Sequence, residues 1–284
     1  MNQAVARTLT LCADDFGLTP GISAGIAHLA RAQRLTAVSC ITNSRHWGAS
    51  APLLANLPAS VDVGLHINLT DGRPLSALLA KVWPRLPALP VLIARAHLGL
   101  LPRAELRDEI NVQMAAFKAA TGAAPKFIDG HHHVHQLPGL RTIILDMAEH
   151  MQPAPAVRNT GALLGPGFRL KQLLITNTGA RALTRELFQR RLAHNPVLLG
   201  AYDFHETNYR SLMQSWLAAL PEQGGLLFCH PGEVADGDPT GLYAAARLRE
   251  LAYLESDAFP ADLVAANVTL GRVWRIAQAP LPAG

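Results

Sequence analysis

The run LTLCADDFGLTP, residues 9–20, reads as a strand that stops at two carboxylates and gives way to a helix. LTLCA is apolar and uncharged, as a buried strand requires, and Asp14 and Asp15 end it. Thr19 and Pro20 then supply a helix N-cap and a first-turn residue, after which Ile22, Ile26 and Leu29 recur at helical spacing. The same unit repeats outward from there. TAVSCIT (36–42) stops at Asn43, and VDVGLHI (61–67) carries His66 near its end. Leu106, Ile110, Met114 and Phe117 mark an amphipathic helix closed by Gly122, which feeds KFID (126–129) and the cluster GHHHVH (130–135). Shorter runs near Val157 and from Val197 to Tyr202 are strand candidates, and GGLLFCH (224–230) ends at His230 before a Pro-Gly turn. Strands alternating with helices predict an α/β fold with a mainly parallel sheet. Chemically capable residues fall at five strand ends, the rim where (β/α) barrels assemble active sites.

At 284 residues the chain fits one barrel domain over 1–284. Residues 72–104 and 161–195, rich in Leu, Arg and Pro or Gly, break the alternation and read as insertions over the rim. Composition is 49% apolar but only 6% aromatic, so the core is expected to be aliphatic. A formal charge of +4 without basic runs interleaved with aromatics argues against a nucleic-acid partner. The first residues have no secretory h-region and no stretch reaches the roughly 18 apolar residues of a membrane span, which predicts a cytoplasmic protein. Cys12, Cys40 and Cys229 are odd in number and lie in apolar runs, as buried thiols in a reducing compartment do.

Adjacent carboxylates repel, so Asp14-Asp15 calls for a compensating cation or donors; the bland reading is a turn or helix cap. Four imidazoles within His131–His135 are costly to bury, and neutral His is the commonest ligand of zinc and its neighbours. On an extended backbone His131, His133 and His135 would share one side and His132 the other; spacing alone leaves open which of them ligates. His230 offers an imidazole suited to proton exchange near neutral pH, while Cys229 should point into the packing. No serine-hydrolase elbow, P-loop or dinucleotide fingerprint is present.

ADDFG, GLHINLT followed by GRPL, DGHHHVH and CHPGE closely resemble, in order, the motifs of the YdjC/ChbG family of carbohydrate deacetylases. The resemblance implies a distorted (β/α) barrel like that of NodB-type polysaccharide deacetylases, and metal-dependent removal of acetyl groups from N-acetylated sugars. It implies that Asp15, His66 and His131 bind the metal, that Asp14 is the catalytic base and that His230 is the acid. Gly130 departs from a motif that often has Ser there. Asp129 and His133 are candidates for orienting the ligating imidazoles. Zinc is the first choice of metal, with Mg, Mn, Co or Ni also compatible. The expected substrate is a chitooligosaccharide or a glycolipid headgroup. The two basic, Leu-rich insertions suggest either peripheral membrane contact or burial as lids or a homodimer contact. Two His and one carboxylate also describe non-haem Fe(II) oxygenases, though there the ligands stand in a compact His-x-Asp/Glu pair; a non-catalytic glycan-binding protein is the third reading.

Overall fold

The computed structural model describes residues 5–166, 168, 175–234 and 241–276. Eight strands, all paired in parallel, form one sheet in the order β5-β4-β3-β2-β1-β7-β6, with β8 joined to the start of β1. The strands are β1 (Arg7–Phe16), β2 (Ala37–Cys40), β3 (Asp62–Ile67), β4 (Phe127–Gly130), β5 (Ala156–Val157), β6 (Leu198–Leu199), β7 (Gly225–Cys229) and β8 (Val268–Leu270). Cys12, Ala37, Phe127, Ala156, Leu198, Leu226 and Phe228, drawn from six of these strands, pack into one cluster. Side chains of non-neighbouring strands can meet only if the sheet curls around them. The open edges also approach each other, because Val157 N donates to Ala193 O at 2.8 Å and Asn159 N to Asn195 Oδ1 at 2.7 Å. This is the distorted barrel the sequence predicts.

Helices cover the outside. They are α1 (Pro20–Arg31), α2 (Trp47–Ser50), α3 (Ala77–Val82), α4 (Leu89–His97), α5 (Arg103–Thr121), α6 (Leu140–Glu149), α7 (Arg181–Gln189), α8 (Tyr209–Ala219), α9 (Leu242–Glu255) and α10 (Ala258–Ala265). The Thr19 hydroxyl accepts from Ile22 N with Pro20 in the first turn, so α1 starts where its caps dictate. Leu106, Ile110, Met114 and Phe117 form the buried stripe of α5, and Gly122 closes that helix at φ 69°. All three cysteines are free and buried.

Within 72–104, Leu79 of α3, Leu92 of α4 and, between these helices, Trp83 and Leu86 are buried, and Ser76 caps α3 while its own N–H donates to Glu109 Oε2 on α5. Within 161–195, α7 buries Leu183 and Leu187. Arg169 and Lys171, part of the basic pattern in that segment, lie outside the described residues.

Candidate metal centre

The two aspartates reach the rim because β1 is irregular there. Pairing with β2 steps from Ala13↔Val38 to Phe16↔Cys40, so Asp14 and Asp15 occupy a bulge, and Asp15 adopts a left-handed φ of 70°. A bulge bends the strand and re-aims its side chains. Gly17, at φ 92°, completes the turn where a Cβ would fall 2.5 Å from Ile41 O. The adjacent carboxylates thereby face different partners.

Asp15 Oδ1 lies 2.9 Å from His131 Nδ1 and 3.5 Å from His66 Nε2. All three side chains are buried, and their ligand atoms fall within 4.8 Å of one another. Despite this proximity, Asp15 Oδ1 has no hydrogen bond of acceptable geometry among the described residues. A buried carboxylate oxygen in that state wants a positive partner, and one carboxylate plus two imidazoles fits a divalent cation with coordination positions to spare. Asp15 Oδ2 is taken by Arg247, which with His131 outweighs burial and holds the carboxyl well below its ordinary range. A second acidic group, Cys12, Asp14 and Asp129, is filled differently: the buried Arg158 guanidinium donates to both oxygens of Asp14 at 2.6 Å, lies 3.1 Å from Cys12 Sγ and pairs with Asp129 Oδ2 at 2.6 Å.

Asp129 stands beside His66 in the β3–β4 register, its Oδ1 2.6 Å from His66 Nδ1 and accepting from Ser39 Oγ at 2.6 Å. That bond presents the other ring nitrogen to Asp15, the orienting role expected of a carboxylate behind a ligand histidine. Burial would lower the His66 pKa, but Asp129 and Asp15 override it and push it up to about 10. His131 is likewise raised against burial, by Asp15 and by Asp71, whose Oδ2 is 3.3 Å from Nε2. The His66 imidazole therefore holds a proton that a bound cation would displace. Metal uptake near pH 7 is expected to release about one proton or more per ion, and affinity to rise with pH toward the His66 value. Titration calorimetry in buffers of different ionisation enthalpy measures this; a heat independent of buffer would contradict it.

The histidine cluster does not keep the strand alternation expected of it. His131–Gln136 is a 3-10 segment with left-handed backbone at His132 (φ 54°) and His133 (φ 58°), so the five positions fan out. His131 alone of the cluster joins Asp15 and His66. His132 is exposed, its ring lies tilted against that of His131 with centroids 3.8 Å apart, and it pairs with Thr70 Oγ1. His133 packs edge-on to Phe228 at 5.3 Å, and buried His135 bonds Arg158 O through Nε2. Partial desolvation against its neighbours, together with the His131 charge, lowers the pKa of His132 to about 4, and full burial does the same for His135. His230 follows β7, whose Ala13↔Cys229 pairing sets His230 next to Asp14 along the rim; its ring meets Phe204 and Phe228, and its N–H donates to Glu250 Oε2 at 2.6 Å.

Arg158, Arg247, Glu250 and Asp71 escaped the sequence reading. Arg158 directly follows the short β5, so the strand-end rule that selected His66 and His230 selects it too. Arg247 and Glu250 sit one turn apart on α9 and carry no comparable signal.

The crystal structure of an Enterococcus faecalis V583 protein described as a cellobiose-phosphate cleavage protein shares the fold, with a TM-score of 0.69 at 20% identity over 94% of this chain and 98% of that one. A Yersinia enterocolitica protein named chitooligosaccharide deacetylase is 30% identical over 271 residues, covering 93% of this chain and 97% of that relative. The family model described as YdjC-like protein matches residues 8–265, and the chain belongs to that family.

Proposed function

We propose that this protein hydrolyses the acetamide of an N-acetylated sugar with the help of one divalent metal ion, releasing acetate and a free amine. The observation that carries the reading is the convergence of Asp15 Oδ1, His66 Nε2 and His131 Nδ1, with Asp14 and His230 at adjoining strand ends. The Yersinia relative's name supports the substrate class. A cation held by Asp15, His66 and His131 would polarise the acetamide carbonyl and acidify a water; nitrogen and oxygen donors favour zinc and also admit Mg, Mn, Co or Ni. Asp14, fixed at both oxygens by Arg158, accepts the proton of the attacking water. His230, as imidazolium, protonates the departing nitrogen while the C–N bond breaks and the new C–O bond is kept. Asp129 and Glu250 orient His66 and the His230 backbone respectively.

Asp14→Asn and His230→Ala are expected to keep their metal and lose about 10²- to 10⁴-fold in kcat, the usual cost of removing a general base or acid. Metal analysis beside acetate-release kinetics decides this. A metal-free Asp14 variant would mean that the two aspartates exchange roles.

We read the chain as one catalytic unit whose segments 72–104 and 161–195 are rim insertions, and place it in the cytoplasm, where its three buried thiols suit a reducing environment. Among the described residues no helix is long and apolar enough to cross a membrane. The first insertion nevertheless leaves Leu78, Val82, Val91, Leu98 and Leu100 exposed among Arg73, Lys81, Arg85 and Arg95 with no acidic residue between Gly72 and Ala104. This pattern supports contact with an anionic amphiphile such as a glycolipid. Co-sedimentation with phosphatidylglycerol vesicles at physiological salt tests it; protein left entirely in the supernatant would remove membrane contact from the account.

A further inference from the structure

A row of aromatic rings runs from the surface to His230. Tyr243, in the first turn of α9, is 63% exposed. Its ring meets Phe204 at 5.0 Å, and Phe204 meets the His230 ring at 5.4 Å. Behind them Tyr202 touches Phe204 at 4.7 Å and is buried, its hydroxyl donating to Glu250. The row therefore has a packed inner end at His230 and an open outer end at Tyr243.

Phe204 is held there against its own preference. Its φ is 69°, a left-handed conformation that a bulky residue rarely adopts. The neighbourhood enforces it: Arg249 Nη2 donates to Phe204 O at 2.9 Å, and Asp203 Oδ1 accepts from His205 N at 3.0 Å. Backbone strain that the surroundings over-determine clusters at ligand sites. Phe204 lies on the loop that follows β6, and Tyr243 opens α9, the helix that follows β7 in the chain. Exposed Asp203 and His205 flank Phe204 in the chain, with exposed Glu206 and Asn208 following.

We infer that Tyr243 and Phe204 form a platform for a second pyranose ring of the substrate, next to the sugar whose amide is cut. The inference rests on the deacetylase reading for its orientation, because His230 marks where the departing nitrogen lies. A pyranose presents a face of C–H groups and a rim of hydroxyls, which is what an aromatic surface bordered by polar side chains accommodates. The platform makes the site selective for oligosaccharides over single acetylated sugars.

The test is binding of triacetylchitotriose and of N-acetylglucosamine by calorimetry. It uses the full-length, metal-loaded chain carrying Asp14→Asn, so that turnover does not consume the ligand. The trisaccharide is expected to bind about fivefold or more tightly than the monosaccharide, the scale of one aromatic contact. Adding Tyr243→Ala should erase that difference, while Tyr243→Trp should keep it. In the otherwise native enzyme, Tyr243→Ala should raise KM for the trisaccharide with kcat nearly unchanged, since an exposed ring at the far end of the row leaves His230 in place. Equal binding of the two sugars by the parent overturns the platform, as does a Tyr243→Ala protein that binds the trisaccharide undiminished. Acetate release accompanied by either result leaves the deacetylase reading standing. Loss of both sugar binding and acetate release removes the two together.

Discussion

His66→Ala, Asp15→Ala and His131→Ala proteins are each expected to come through purification nearly metal-free, with affinity down by more than about 100-fold. Removing an outer partner that merely orients a ligand already costs about 10- to 100-fold, and in the proposed centre these residues would supply the donor atoms themselves. Asp129→Asn belongs to the milder class, because it disturbs His66 Nδ1 and leaves Nε2 in place. His132→Ala is the control: its ring is exposed and bonded to Thr70, so full occupancy is expected. Elemental analysis after dialysis orders the variants. A His131→Ala protein with one ion per chain would move the third ligand to another histidine of the cluster.

Arg158→Met should have the largest effect on folding stability. The guanidinium is fully buried and is the positive partner of both Asp14 and Asp129. Stripping the cation from a buried ion pair typically costs about 3 to 5 kcal/mol, and here two carboxylates lose it. For a chain of this size that is a fall in Tm on the order of 10 °C. The pH dependence has a definite sign. In the native protein Arg158 and His66 outweigh burial and hold the Asp129 carboxyl below its ordinary range, so that stabilisation is present above the ordinary carboxylate value and is lost as pH falls toward the depressed one. Without Arg158 burial dominates and favours the neutral acids, so the deficit of the variant should shrink between pH 8 and pH 5. Melting both proteins with metal chelated isolates the effect; a deficit that grows on acidification would contradict it.

The strands, their parallel order and the rim were legible because each strand end carried a polar residue after an apolar run. LTLCA to Asp14, VDVGLHI to His66 and GGLLFCH to His230 each mapped onto a real strand. The capping residues of α1 and α5 were equally local, and local signals survive folding. Four features were not legible. The Asp14-Asp15 bulge separates the carboxylates, sending one to Arg158 and the other toward the histidines, and no spacing rule specifies that division. His131–Gln136 left the strand pattern because Gly130 ends β4 and the chain then turns through left-handed residues. Arg158 lies 144 residues from its partner Asp14, and such pairing is set by the curl of the sheet. β8 is three residues long and only Val268 of it is fully buried, too short a run to show periodicity.

The acetamide C–N bond is the one this chemistry breaks. The measurement that reaches it most directly is acetate release from triacetylchitotriose by the metal-loaded protein, with free amine counted in the same sample. Equal amounts of acetate and amine are expected, abolished by a chelator, restored by re-adding metal, and absent from Asp14→Asn protein that still holds its ion. A chain that carries metal on Asp15, His66 and His131, binds the sugar and yet releases neither acetate nor amine from it would contradict the deacetylase assignment.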